Sequence, residues 1–307
     1  MFENEMKYQF FAKVAQINDS TYDTYPVTVL TENNETAIVR VKQNEQLSLN
    51  KIYFFKTIGV LFKEKVHLEV LEFKKTSEIE ISDGKREKLM KFFYNHAPIN
   101  TSEIIKDIET IISELDNKVI KEITEKIYLD NKEDFYLYPA ATKFHHAYIS
   151  GLAYHTHSML KLAKGFLEVY EWLNKDLLYA GIILHDICKI FEFDSYEGSN
   201  YTIKGKLIGH IAMGVSLLDK TALELNYQDE EEVMLLEHIL ISHHYYGNYG
   251  SPKKPNIAEA LMIHFIDNID SKACVLGEEL DLVEVGDLTS AIGVLERERY
   301  YKHKLSK

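Results

Sequence analysis

The sequence predicts a multidomain α+β protein, with a small N-terminal β-barrel of OB type, a helical connector and an all-α domain. Two features of the hydrophobic pattern predict this order. Apolar residues alternate with polar ones in the first 75 residues, and from residue 76 onward they recur at helical spacing. The chain has 307 residues, 46% of them hydrophobic and 27% charged, so it can bury the cores of one large domain or two smaller ones.

Residues 1–75 form the predicted β module. Alternation is clear in two places, and aromatic or β-branched clusters recur near 8–17, 25–31 and 51–57. The alternating residues are Ala37, Val39 and Val41, and then Val66, Leu68 and Val70. About five short strands in this length are typical of a small closed barrel, such as an SH3-like or OB-type module.

The segment 36–65 is basic and aromatic. It contains Arg40, Lys42, Lys51, Lys56, Lys63 and Lys65 against Glu45 and Glu64, interleaved with Tyr53, Phe54, Phe55 and Phe62. Rings and ammonium groups on one strand face are what single-stranded nucleic acid needs, because bases stack on the rings and phosphates attract the charges. Alternating aromatic residues of a small barrel are equally typical of its core. Both interpretations stay open at this point.

Residues 76–134 are predicted to be a helical connector. Asn100 and Glu103 are placed like a helix N-cap and its reciprocal partner. Two apolar faces at helical period follow, Ile104, Ile105, Ile108, Ile111, Ile112 and Leu115 in the first and Ile120, Ile123 and Ile127 in the second. Residues 135–307 are predicted to be all-α, with one buried helix running from Leu177 through Lys189 and a turn-rich loop at 247–255.

Composition excludes several classes of protein. The net charge of −13 argues against non-specific binding of nucleic acid over the whole surface. Two cysteines, Cys188 and Cys274, are too few for a disulfide framework. No apolar run approaches the ~18 residues that cross a bilayer, and the N-terminus carries acids where a signal peptide carries bases. We therefore expect a cytoplasmic protein with no membrane partner.

Histidines are concentrated in the all-α region, where ten of the 13 lie between residues 145 and 264. The doublet His185-Asp186 follows the apolar run 180–184, so an imidazole, a carboxylate and the ammonium of Lys189 emerge from one buried helix. A buried carboxylate needs a partner or a metal, because burying it alone costs several kcal/mol. His155, His210, His243, His244 and Asp267 also adjoin apolar sequence.

These residue types indicate a metal. Several imidazoles with one or two carboxylates and no thiolate suit Mn, Fe, Co, Ni or Zn, and leave Mg open. Adjacent side chains on a helix diverge by about 100°, so His185 and Asp186 should not point the same way. An aspartate can nevertheless bridge two cations about 3.5 to 4 Å apart, the spacing typical of sites that cleave phosphoesters.

The order of the motifs resembles the HD superfamily of metal-dependent phosphohydrolases. The motifs are Gly151-Leu152-Ala153-Tyr154-His155-Thr156, Leu184-His185-Asp186-Ile187-Cys188-Lys189, Gly209-His210-Ile211, Ile241-Ser242-His243-His244 and Ile266-Asp267-Asn268-Ile269-Asp270. With Phe144-His145-His146 upstream, Gly250-Ser251-Pro252-Lys253 downstream and a β module at the N-terminus, the chain is most similar to the YhaM family of 3′-to-5′ exoribonucleases. An HD domain over 135–307 is therefore expected.

The resemblance implies roles for individual residues. The implied metal ligands are His155, His185, Asp186, His210, His243 and Asp267, with Asp186 as the bridge between two divalent ions. Manganese is the expected metal, with Mg, Co, Fe and Zn as alternatives. Lys189 would face the scissile phosphate, so Asp186 and Lys189 are the implied catalytic residues. His244 would be a further ligand or a phosphate contact, and His145, His146 and Lys253 are candidates for substrate binding.

The resemblance also implies a function. It is hydrolysis of single-stranded RNA from the 3′ end to nucleoside monophosphates, with single-stranded DNA as a second substrate and with homo-oligomers as in other family members. Two alternatives stay open. One is an HD-type phosphohydrolase of nucleotides or cyclic nucleotides, and the other is a regulatory protein that binds nucleic acid without turnover.

Overall fold

The computed structural model describes residues 2–19, 23–62, 65–142, 146–197 and 200–305. The chain forms two compact units. The first is Met1–His96 with the short segment Glu197–Ser199, and the second is Ala97–Tyr196 with Asn200–Lys307. In the described part of the chain, no helix combines the length and the apolar character needed to cross a membrane.

The first unit contains a closed five-stranded barrel. Its strands are β1 (Lys7–Ile17), β2 (Thr24–Thr31), β3 (Thr36–Lys42), β4 (Ile52–Phe62) and β5 (Lys65–Lys75). They pair in the order β1-β2-β3-β5-β4, and β4 closes the barrel on β1. The β3–β5 pair is parallel and the other pairs are antiparallel. The predicted small barrel of OB type is confirmed.

Three aromatic residues of β4 favour the core interpretation of the basic segment, and the side chain of the fourth, Phe62, lies outside the described part of the structure. Tyr53 and Phe55 are 1% and 0% exposed and pack inside the barrel with Val39 and Val41. Phe54 lies with its ring centroid 5.0 Å from that of Phe11. These three rings therefore belong to the packing of this unit, and they do not form an open stacking face. Lys63 and Glu64 lie outside the described residues.

Helix α1 (Asp83–Phe93) belongs to the first unit. Its apolar face packs Leu89 and Phe93 against Phe11 and Ile52 of the barrel. The end of β5 at Lys75 coincides with the end of the predicted β module, whereas the compact unit continues to His96.

The second unit is helical. Its helices are α2 (Thr101–Ser113), α3 (Lys118–Phe135), α4 (Gly151–Val169), α5 (Lys175–Leu184), α6 (Lys189–Glu192), α7 (Ile203–Leu225), α8 (Glu231–Ser242) and α9 (Ala258–Asp281). The Asn100 side chain caps α2 by accepting from the Ser102 N–H, and both predicted isoleucine faces are buried. The two predicted helices of the connector are therefore confirmed.

Helix α5 lies at the centre of this unit and packs against α3, α4, α8 and α9. Gly181 permits the close approach, because a Cβ there would lie 2.5 Å from Ile263 Cδ1 of α9 and 3.0 Å from Ile239 Cγ2 of α8. Because Gly181 has no side chain, α5, α8 and α9 can pack closely. His185 follows α5, His243 follows α8 and Asp267 lies in α9.

Candidate metal centre

The His185-Asp186 doublet lies at a break between helices. Helix α5 ends at Leu184, a turn covers residues 185–188, and α6 begins at Lys189. The prediction of one continuous helix through Lys189 was therefore wrong. Because the helix ends before the doublet, the two side chains are not forced apart, and Nε2 of His185 lies 3.3 Å from Oδ2 of Asp186.

Other members of the cluster also lie at helix breaks. Gly209 has φ 77°, which interrupts α7 immediately before His210. His243 and His244 follow the end of α8 at Ser242. A regular helix directs neighbouring side chains to different sides, so ends and kinks are where adjacent groups can converge.

Asp186 is the centre of the cluster. Five cationic or imidazole groups surround its carboxylate, and their distances are 2.7 Å from Lys189 Nζ, 3.3 Å from His185 Nε2, 3.3 Å from His210 Nε2, 3.9 Å from His243 Nε2 and 4.0 Å from His155 Nε2. Asp267 joins through Oδ1, which lies 3.4 Å from Nε2 of His155. The carboxylate is buried, with 3% of the residue exposed.

The ligand atoms form two groups that share Asp186. One group is Asp186, His210, His243 and His244, and the other is His155, His185 and Asp186. Within each group the ligand atoms all lie within 4.8 Å of one another. Together with Asp267, the structure thus brings into one place all seven residues that the sequence indicated as metal ligands.

Backbone carbonyls orient three of the imidazoles. Nδ1 lies 2.7 Å from the Ile182 carbonyl in His185, 2.8 Å from the Leu240 carbonyl in His243 and 2.6 Å from the Tyr249 carbonyl in His244. A carbonyl only accepts, so in the neutral ring the proton is on Nδ1 and the lone pair is on Nε2. This is the arrangement that prepares an imidazole to bind a metal through Nε2.

Two carboxylates orient the other imidazoles. Both oxygens of Glu192 lie 3.1 Å from His210 Nδ1, and Oε1 also accepts from the His210 backbone N–H that the kink leaves open. Asp270 Oδ2 accepts from Nδ1 of His155 at 2.7 Å and from Nε2 of His146 at 2.8 Å. Sequence reasoning missed Glu192, although a glutamate in the apolar setting Ile190-Phe191-Glu192-Phe193 is a signal that it could have used.

The charges of the cluster support one another. Burial by itself would raise the pKa of Asp186, but Lys189 and His185 outweigh it and hold that pKa well below its usual range. Burial would likewise lower the pKa of His155, but hydrogen bonds to Asp267 and Asp270 prevail and raise it to about 9. Burial also lowers the pKa of His243 well below its ordinary value. A lowered pKa favours the neutral form of His243, which is the form that binds a metal.

The residues present fit a divalent cation. Within the described residues, Nε2 of His185, His210 and His243 and Oδ1 of Asp186 are buried and have no hydrogen-bond partner. Buried polar atoms rarely lack a hydrogen-bond partner, and a bound cation would give a partner to all four of these atoms. Burial would lower the pKa of Lys189, but the three carboxylates of Asp186, Asp267 and Glu192 outweigh it and raise that pKa, so negative charge exceeds positive charge around this ammonium. Imidazole and carboxylate donors suit Mn, Fe, Co, Ni or Zn.

The residues predicted to bind substrate lie in different environments. His145 lies outside the described residues. His146 is 1% exposed and bonded to Asp270 and Tyr148, so its place is that of a support for the cluster, and a substrate contact is not supported. Lys253 is exposed on the loop after His244. Lys189 pairs with Asp186, and its contact with phosphate stays a prediction.

Comparison with known proteins agrees with this geometry. Residues 152–272 match the HD domain family, and this range includes all seven cluster residues. The chain is also 37% identical over 273 residues to the 3′-5′ exoribonuclease YhaM of Bacillus subtilis (strain 168). The alignment covers 87% of this chain and 84% of that protein.

The barrel, the helical unit and the histidine–aspartate cluster define an HD-domain phosphodiester hydrolase with a divalent-metal site. More narrowly, the chain belongs to the YhaM family, the family that its motifs resemble.

The contact of Glu192 with His210 gives a first testable prediction. Glu192→Gln removes the charge and half of the acceptor capacity that orient His210 at the kink in α7. We expect Mn²⁺ affinity and hydrolysis to fall by about 10- to 100-fold, the range for partners that orient metal ligands. Calorimetric titration of Mn²⁺ measures the effect. Glu259→Gln is the matched control, since this buried glutamate accepts from the Asn174 N–H and not from a cluster histidine, and it should keep the wild-type affinity for Mn²⁺. Wild-type affinity in Glu192→Gln would contradict the prediction.

Proposed function

We propose that this protein is a 3′-to-5′ exoribonuclease that releases nucleoside monophosphates from single-stranded RNA at a centre of two divalent cations. The observation that carries the proposal is that Asp186 belongs to both groups of ligand atoms. One carboxylate with two oxygens can serve two sites, which favours a pair of ions over a single one. The polarity and the substrate come from the name of the relative in Bacillus subtilis.

Each group of ligands would hold one cation. The first site would use His155, His185 and Asp267, and the second His210, His243 and His244, with Asp186 between them. When bound, the cations would supply Lewis-acid chemistry, by acidifying a water molecule and neutralising charge on the phosphoryl oxygens. Lys189 would add a positive charge beside Asp186. Manganese is the proposed metal, and single-stranded DNA is a proposed second substrate.

A nuclease assay with chelated protein tests this function. The full chain is stripped of metal and mixed with a 5′-labelled single-stranded RNA, alone or with Mg, Mn, Co or Zn. We expect no cleavage without metal and, with Mn, a ladder that shortens from the 3′ end with release of nucleoside monophosphates. A circular RNA of the same sequence serves as the control, since an exonuclease leaves it intact.

Three results would contradict the proposal. Rapid turnover of a small or cyclic nucleotide, with the labelled RNA intact, would show a nucleotide phosphohydrolase. Retention of the RNA without turnover under every metal would show a binding protein. Full activity in the presence of chelator, with metal content verified by elemental analysis, would exclude the cation centre.

A groove in the first unit is proposed as a second contact for the RNA strand. A groove of about 600 Å³ lies along α1, and its lining includes Lys85, Lys88, Phe92 and Glu32. Phe92 is 45% exposed, and both lysines are exposed. An exposed ring in a groove that two lysines also line suits a single strand better than the buried rings of β4 do.

Removing the lysine charges of this groove tests its role. Lys85→Ala/Lys88→Ala should weaken binding of a long RNA and lower the slope of log K against log salt by about 1.4, since each lysine that meets a phosphate of a single strand contributes about 0.7. Hydrolysis of a dinucleotide should not change. Lys74→Ala/Lys91→Ala removes the same charge from lysines that pair with Glu72 and Glu87. An equal slope in both double variants would show that the groove does not bind the strand.

A further inference from the structure

The loop after α8 carries two tyrosines whose rings face solvent. Tyr246 is 51% exposed and Tyr249 is 67% exposed, whereas Tyr245 is half-buried against His264, with the ring centroids 5.1 Å apart. The rings of Tyr246 and Tyr249 meet edge to face, with centroids 6.2 Å apart. Exposed aromatic rings are able to stack on a nucleobase.

The same loop is tied to the metal cluster through His244. The Tyr249 carbonyl accepts from Nδ1 of His244, and the Ser251 hydroxyl accepts from its backbone N–H at 3.0 Å. Tyr245 has φ 66°, a left-handed conformation that is rare for a bulky residue. This conformation turns the chain directly after His244. Because His244 belongs to the cluster and is hydrogen-bonded to the loop, a movement of the loop would also move a cluster residue.

The loop also lies where solvent reaches the cluster. His155, His185 and His243 are at most 2% exposed, whereas His210 and His244 are partly exposed. Asp267 is partly exposed as well, so a substrate reaches the cluster from the side of His210, His244 and Asp267, and His244 is the residue to which the loop is hydrogen-bonded. Lys253 is exposed on this loop, and Nζ of Lys254 lies 5.1 Å from the centroid of the Tyr245 ring. Positive charge and open rings thus stand together at the entrance.

We propose that Tyr246 and Tyr249 form a platform that stacks on the nucleobase next to the scissile phosphodiester. The proposal rests on the proposed function, since it names the part of a single-stranded substrate that this entrance binds. Stacking on a ring tolerates any base, because every base has a π-face, so the platform suits an enzyme that removes nucleotides in succession. The neighbouring lysines would pair with the phosphates of the same strand.

An abasic substrate tests the platform directly. Two 5′-labelled RNAs are compared, one with a normal 3′-terminal nucleotide and one whose terminal nucleotide lacks its base. We expect the wild-type protein to cleave the normal end about 10-fold faster or more, in line with the contribution of one stacked base. Tyr246→Ala/Tyr249→Ala should lose this preference by slowing only the normal end, whereas Tyr246→Phe/Tyr249→Phe should keep it.

Controls separate the platform from the function on which it rests. Tyr170→Ala removes a tyrosine that is 40% exposed at the end of α4, and it should keep the wild-type preference. Equal slowing of both RNAs in the alanine variant, or a wild type that does not distinguish them, would overturn the platform. Failure of the wild type to degrade either RNA would reject the proposed function instead. In that case fluorescence anisotropy still tests the platform, by comparing the Kd of the wild-type protein for the two RNAs. Equal Kd values for the normal and the abasic RNA would overturn the stacking.

Discussion

Replacement of Asp186 by asparagine is expected to lower the rate of phosphodiester hydrolysis by about 1,000-fold or more. Asp186 is the one residue common to both groups of ligand atoms, so its loss weakens both proposed cation sites together. Metal ions contribute several kcal/mol to the stabilisation of charge in the transition state, and each 1.36 kcal/mol corresponds to a factor of ten. The measurement is single-turnover hydrolysis of the labelled RNA with saturating Mn.

The same substitution also removes the partner of Lys189, which must be separated from the loss of metal. Lys189 is 9% exposed and its ammonium lies 2.7 Å from Asp186, so the variant leaves a buried charge without this partner. A cost of about 3–5 kcal/mol in the free energy of unfolding is expected. Assays below the unfolding transition, with circular dichroism as the check of folding, isolate the catalytic effect. Activity near that of the wild type in folded Asp186→Asn would remove the bridging role.

The second large effect is expected from a pair of histidines on one helix. His155 and His157 are both buried on α4, two residues apart, but only His155 points to Asp186 and Asp267. His157 bonds to Asp107 at 2.8 Å, away from the cluster. We expect His155→Gln to weaken Mn²⁺ binding by more than about 100-fold, beyond the range for residues that only orient a ligand.

His157→Gln is the matched control for this experiment. It makes the same chemical change on the same helix, and it should cost only about 1 kcal/mol of stability for the lost hydrogen bond. Mn²⁺ titration and RNA hydrolysis should both stay at the wild-type level. Equal losses in the two variants would mean that the effect comes from disturbing α4, and the assignment of His155 as a ligand would fail.

Local sequence patterns predicted the elements well, for a physical reason. Alternation at Ala37, Val39 and Val41 reports a half-buried strand, and the spacing of Ile104, Ile108 and Ile112 reports one buried helix face. These periods are properties of the backbone and need no knowledge of distant neighbours. The order of the motifs likewise pointed to the candidate ligands through the resemblance to the HD superfamily, and the need of a buried imidazole or carboxylate for a partner agrees with it.

The residue at which a helix ends is harder to predict from the hydrophobic pattern of the sequence. The apolar run before His185 continues with Ile187 and Ile190, so periodicity alone extends the helix through the doublet. The end of α5 at Leu184 and the kink at Gly209 depend on how the helices pack. The rings of β4 show the same limit, because the sequence of a strand does not tell which face the closed barrel will bury.

The amino-acid sequence by itself determined which residues of this protein could bind a metal, which segments are strands or helices, and to which family its motifs point. Only the tertiary structure decided that Asp186 lies between two sets of imidazoles, that Glu192 and Asp270 orient His210 and His155, and that Tyr246 and Tyr249 stand open at the entrance. The reason is that backbone periodicity depends on residues a few positions apart, whereas the direction of a hydrogen bond depends on groups that can lie more than 100 positions away, such as His155 and Asp270, which are 115 positions apart.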